Sequence, residues 1–194
     1  MRKNRSARDD EYYGYLRILL EEICCDLCRI QHVEQQHIEP EDIHIKQEVS
    51  LGIPGAFADI EVTVKDAAPY FVEVKYGHRA GKIVRLLSRK YGIDTPATHN
   101  ASKVVLVVDS QNYQDWAVIE ADIQKQLRPG LQLEVWGEQH LLSMIRQLFK
   151  TEIVSLSEEN LISLINVVER IKGEHAFGEG YTGDPFQRDR KSVV

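Results

Sequence analysis

Two short apolar runs carry acids and an amine at spacings that suit phosphodiester chemistry. The first is Phe57-Ala58-Asp59-Ile60-Glu61-Val62-Thr63-Val64, and the second is Tyr70-Phe71-Val72-Glu73-Val74-Lys75-Tyr76. Both alternate like strands and are rich in β-branched and aromatic residues. Successive strand side chains point to opposite faces, so Asp59, Glu61 and Thr63 share one face, and Phe71, Glu73 and Lys75 share another. The turn-like Asp66-Ala67-Ala68-Pro69 separates the runs. A hairpin centred on Ala67 sets Asp59 opposite Lys75 and Glu61 opposite Glu73, so that three carboxylates and an amine converge. Like charges held this close repel unless a cation neutralises them. A hard divalent ion such as Mg²⁺ or Mn²⁺ suits carboxylate oxygens and keeps several waters. A lysine beside it can orient a bound water, which is the outline of metal-assisted phosphodiester hydrolysis.

The pattern resembles the active-site hairpin of the PD-(D/E)xK phosphodiesterases, the restriction-endonuclease-like superfamily. Asp59 matches the acidic motif residue, with Ala58 where proline is common, and Glu73 and Lys75 match E-x-K. The resemblance implies an α/β fold, a mixed sheet sandwiched by helices in the order αβββαβαβα. It implies a Mg²⁺-dependent (or Mn²⁺-dependent) nuclease acting on nucleic acid, DNA more than RNA. Asp59, Glu73 and the backbone carbonyl of Val74 would be metal ligands. Lys75 would position the attacking water, and a first-helix acid, Glu21 or Glu22, would complete the catalytic set. Glu61 is an extra acid of unassigned duty.

The elements that must hold these residues can be read from periodicity. From about Asp10 to Ile30, apolar residues recur at helical spacing (Tyr13, Leu16, Leu20, Ile23, Leu27). At about 100° per residue, Glu21 flanks that stripe and Glu22 points away, so Glu21 is the better interior candidate; a solvated helix face explains both equally well. A strand is expected over 44–49, a helix over 81–91 with Gly92 as its stop, and a nearly continuous apolar strand over 103–109. A helix over 114–127, a strand over 131–136 and a helix to about Phe149 follow. The run from Leu133 to Leu142 also resembles the closing strand-to-helix junction of some restriction-like folds.

Residues 79–90 contain Arg79, Lys82, Arg85, Arg89 and Lys90 and no acid. Lys82, Arg85 and Arg89 fall at i, i+3 and i+7 on one helix face, directly after E-x-K. Phosphate contact is the functional reading, and a solvated helix face is the plain one. Lys90 lies nearer the apolar side, where its stem would snorkel. His78 and Tyr76 border the site as groove-lining residues, and His78 joins Arg79, Lys82, Arg85 and Arg89 as a nucleic-acid-binding candidate.

The chain has 194 residues and a formal charge of −6. That length supports one real core plus an appendage, and the charge argues against coating nucleic acid by bulk attraction. Apolar content of 43% and charged content of 28% fit a globular protein. No apolar run approaches the ~20 residues of a membrane span. Cys24, Cys25 and Cys28 crowd one helix, which is not a disulfide framework and suits a reducing, cytoplasmic compartment. Cys25, Cys28 and His32 share a helical face, either as metal ligands or, more simply, as small residues beside a core stripe. No nucleophile elbow and no phosphate-cradling glycine loop is present.

The organisation expected is a loose segment over 1–10, a core over 11–150, a packed C-terminal helix over 151–172 and a tail or linker over 173–194. The stretch from Tyr70 to Gly77, with Arg85 and Arg89-Lys90-Tyr91-Gly92, also resembles N-terminal regions of some bacterial multidomain signalling proteins, including certain nucleotide cyclases. That resemblance implies a second function, a non-catalytic regulatory or sensing module. Expected partners are nucleic acid for an enzyme, a second copy of the chain as a homodimer, and a fused C-terminal domain; no membrane is expected.

Overall fold

Alternation builds the first hairpin of the sheet. In β2 (Phe57–Val64), Ala58, Ile60, Val62 and Val64 are buried while Asp59, Glu61 and Thr63 are half-buried. β3 (Tyr70–Val74) is buried throughout, and β4 (Lys103–Val107) is buried over its four apolar residues. Continuous burial is what strands covered on both faces require. The structure, a computed structural model, describes residues 7–148. The C-terminal helix expected over 151–172 and the tail expected over 173–194 lie outside the described residues.

With β1 (Ile43–Ser50) and β5 (Gln132–Trp136), the strands form one mixed sheet in the order β1-β2-β3-β4-β5. The first three are antiparallel neighbours, while β3, β4 and β5 run parallel. Parallel neighbours need crossovers. These are α2 (Ala80–Tyr91) between β3 and β4, and α3 (Trp116–Gln126) between β4 and β5. α1 (Ala7–Ile30) precedes the sheet and α4 (Glu138–Leu148) follows it. The chain divides into two compact units, 1–141 and 142–194.

Adjacent residues of β3 show how the layers lie. The Tyr70 hydroxyl meets His32, just past α1, while the Phe71 ring meets Tyr91 of α2 with centroids 5.6 Å apart. Consecutive strand residues face opposite sides, so α1 covers one face and α2 the other. α1 buries Leu16, Leu20, Ile23 and Leu27, and α2 buries Ile83, Leu87 and Tyr91. Each set is one stripe of a 3.6-residue period. Among the described residues no helix is long and apolar enough to cross a membrane.

Three expectations need correction. α1 starts at Ala7, inside the segment read as loose. The hairpin centres on Asp66, not Ala67, because the pairs are Ile60↔Val72, Glu61↔Phe71 and Val62↔Tyr70. Asp66 adopts a left-handed conformation (φ 59°), which Asp tolerates, and the Ala67 amide donates to the Val64 carbonyl at 3.1 Å. The turn therefore forms earlier, and Asp59 falls across from Glu73 rather than Lys75. A shift of two keeps every side chain on its expected face, since the period is two. The third correction is that β3 ends at Val74, although the Lys75 amide extends the ladder by donating to the Val107 carbonyl at 2.8 Å.

Candidate functional site

Glu73 is fully buried, and a carboxylate removed from water needs partners. It has them on every side. The Lys90 ammonium lies 2.9 Å from Oε1 and 2.8 Å from Oε2, and the Tyr91 hydroxyl donates to Oε1 at 2.5 Å. The Lys75 ammonium reaches Oε2 at 2.5 Å and also bonds Asp59 Oδ2. Two oxygens bonded to one ammonium stand at most about 6 Å apart. Asp59 Oδ2 further accepts the Val74 amide at 2.7 Å, and Oδ1 lies 3.7 Å from Lys90. Two carboxylates and two ammonium groups thus interlock. Burial alone would lower the Lys75 pKa, but the Glu73 and Asp59 carboxylates outweigh it and hold the amine above its ordinary value. Lys75 is a stable cation here.

The other acids fall around this centre unequally. Glu61 does not join it: it faces Phe71 on one side and Lys46 on the other, and bonds none of the four charged groups. Lys90 takes the place that sequence reasoning gave to a third carboxylate. Glu22 is exposed, while Glu21 is half-buried on α1. Burial first, and then the negative charge of Asp59, raises the Glu21 carboxyl to about 7; Lys75 opposes this, and Glu73 and Glu48 add to it. Glu21 therefore lies in the field of the centre without a direct hydrogen bond to it among the described residues. Glu48, which the strand pattern did not single out, falls across from Asp59 in the β1–β2 register, with a left-handed backbone at φ 51°.

The Glu21 shift has a pH consequence. The folded protein holds this proton more tightly than the unfolded chain, whose carboxyl has an ordinary value of 4.5. The associated stability is fully present below that value and is lost as pH rises through about 7. Glu21→Gln should therefore be more stable than wild type by about 1–3 kcal/mol at about pH 8 and nearly equal at about pH 4, after allowance for partial exposure. Urea unfolding with EDTA present checks this; the same difference at both pH values would contradict it.

The segment after Lys75 is clamped from the far side. Asp109, buried at the end of β4, accepts the Gly77 amide at 3.2 Å, the Tyr113 hydroxyl at 3.0 Å and the Asn112 amide at 3.1 Å. The Tyr113 hydroxyl also lies against the His78 carbonyl, and Arg17 donates to the Tyr76 carbonyl at 3.2 Å. Gly77 has φ 73°, and a Cβ there would strike the Tyr13 ring, so no other residue fits without rearrangement. Tyr76 is buried. His78 is half-buried; burial, then Lys82, Arg17 and Lys75, push its imidazole down to about 4, so it is neutral near pH 7. Its Nδ1 is buried and makes no hydrogen bond among the described residues.

α2 carries the basic stripe outward. Arg79, Lys82, Arg85 and Arg89 are exposed, and Arg89 donates to the Pro54 carbonyl at 3.2 Å. Lys82 and Arg85 make no ion pair among the described residues. The same helix therefore presents cations to solvent on one face and delivers Lys90 and Tyr91 to Glu73 on the other.

Cys24 and Cys28 are buried and Cys25 is half-buried. His32 is engaged at both ring nitrogens, by Gln36 at 2.9 Å and Tyr70 at 3.0 Å. Burial pushes the Cys25 thiol to about 11 and the Cys28 thiol to about 12. Among the described residues no group of three or more His, Cys, Asp or Glu side chains gathers as a metal site. The chain matches no protein-family model and no curated protein sequence.

Proposed function

We propose that the chain is a divalent-metal-dependent phosphodiesterase domain of the restriction-endonuclease-like type, acting on nucleic acid and on DNA more than RNA. The observation that carries this reading is the Lys75 ammonium bonded at once to Asp59 and Glu73. Two carboxylates held by one buried lysine, beside a helix with exposed cations, are the parts that metal-assisted phosphodiester hydrolysis requires.

The donor set fits a hard divalent ion. Asp59 Oδ1 lies 3.7 Å from the Lys90 ammonium, the Val74 carbonyl lies 3.4 Å from the Lys75 ammonium, and Glu73 supplies carboxylate oxygens. Asp59, Glu73 and the Val74 carbonyl would hold Mg²⁺ or Mn²⁺, with Glu21 nearby to add charge. Bound there, such an ion would supply Lewis-acid chemistry, activating water and offsetting negative charge on the phosphoryl oxygens. Lys75 orients the attacking water and donates to developing negative charge. Asp59 orients Lys75 through Oδ2. The exposed face of α2 holds flanking phosphates.

The docking role is testable apart from the chemistry. Lys82→Ala with Arg85→Ala should weaken nucleic-acid binding on the order of tenfold and reduce the slope of log K against log salt by about 2, because each lost phosphate contact releases about one counterion fewer. Fluorescence anisotropy across a salt series reads both numbers. Unchanged binding with an unchanged slope would remove α2 from the interface.

One observation favours a second reading, a non-catalytic sensing module, such as the N-terminal domain of a larger bacterial signalling protein. All the acceptor positions of Glu73 are taken, by Lys75, twice by Lys90, and by Tyr91. A centre neutralised by its own lysines is stable without an ion, and a restriction-like fold does not by itself entail cleavage.

A further inference from the structure

We propose that Lys90 competes with a divalent cation for the Asp59–Glu73 pair, its ammonium filling the charge position that the cation would take. This rests on the metal reading above.

The pose is that of a shared cation. Lys90 Nζ sits between both oxygens of Glu73, at 2.9 and 2.8 Å, and leans to Asp59 Oδ1 at 3.7 Å. Lys75 holds the inner oxygens of the same two acids, Oδ2 and Oε2. Two ammonium groups balance two carboxylates. A divalent ion entering this balanced cluster meets two like charges at close range, so one ammonium must leave. Lys75 is the worse candidate: its side chain is 6% exposed and bonds both acids at the end of β3. Lys90 lies one residue before the end of α2, with its side chain 14% exposed and a long stem that can reach water. Tyr91 stays behind, buried and bonded to Glu73 Oε1, so the carboxylate keeps its orientation when Lys90 departs. The helix whose outer face carries Lys82 and Arg85 thus also holds the ammonium that must move.

Calorimetric titration of the full chain with Mn²⁺ tests this, with wild type, Lys90→Met and Lys90→Arg compared. Lys90→Met should bind Mn²⁺ about tenfold tighter or more, because the competing charge is gone, while its melting temperature in EDTA falls. Lys90→Arg should return the affinity toward wild type. Lys125→Met, remote on α3 and paired with Asp122, should change neither. A merely structural role for Lys90 would loosen the site and weaken binding, the opposite sign. Should Lys90→Met not fold, Lys90→Gln keeps a donor without the charge and carries the same expectation. Equal or weaker Mn²⁺ binding by the folded neutral variant overturns the proposal alone. No Mn²⁺ binding by wild type or any variant overturns it together with the metal reading.

Discussion

Glu73→Ala should cost about 3–5 kcal/mol of stability, the range for breaking a buried ion pair by removing one partner. The side chain is 0% exposed and is the common partner of Lys75, Lys90 and Tyr91. Without it, Lys75 remains buried with Asp59 alone, and the Tyr91 hydroxyl loses its acceptor. Lys90 can turn to solvent, which limits the loss. A fall in melting temperature of about 10 °C follows for a domain of this size. Glu73→Gln should fall less, because one acceptor oxygen survives. Thermal unfolding in EDTA followed by circular dichroism measures both, and a change in Glu73→Ala within about 2 °C would contradict the interlocked centre.

Lys75→Ala should reduce nucleic-acid cleavage by about 10²–10⁴-fold, the usual contribution of a positioned proton-handling group. Mn²⁺ binding should be no weaker than wild type, because a like charge is removed while Asp59, Glu73 and the Val74 carbonyl remain to hold the ion, and nucleic-acid affinity should stay within a few-fold because the phosphates would rest on α2. Single-turnover cleavage with Mn²⁺, read beside anisotropy, separates the two effects. Unchanged turnover would take Lys75 out of the chemistry, and lost Mn²⁺ binding would make its role architectural.

The sequence made the strand faces legible and left the register open. Alternation assigned Asp59, Glu73 and Lys75 to one side, and that survived a two-residue error in the hairpin centre because side chains repeat every two residues. The centre itself was set by Asp66 turning left-handed, a choice that periodicity does not encode. Lys90 was visible but misread. It stands at i+7 from Ile83, beside the stripe of Ile83, Leu87 and Tyr91 that α2 buries. A lysine next to a buried stripe can snorkel or can meet a buried acid, and only the tertiary pairing with β3 distinguishes the two. Asp109 was read as the end of an apolar strand. Its hold on Gly77 depends on β3 and β4 running parallel in a specific register, which is non-local. Glu48 gave no signal because its left-handed backbone interrupts a stretch that alternates like an ordinary strand. Glu21 was legible by helical phase, since one residue's rotation separates its half-buried position from the exposed Glu22.

The most direct test is cleavage of labelled single- and double-stranded DNA and RNA by the wild-type protein with Mg²⁺ or Mn²⁺, beside Asp59→Asn. Metal-dependent phosphodiester cleavage, strongest on DNA, is the expected result, abolished by EDTA and absent from Asp59→Asn, which still binds the substrate. Binding of these nucleic acids with no cleavage over hours would contradict it and leave the sensing module as the function of this fold.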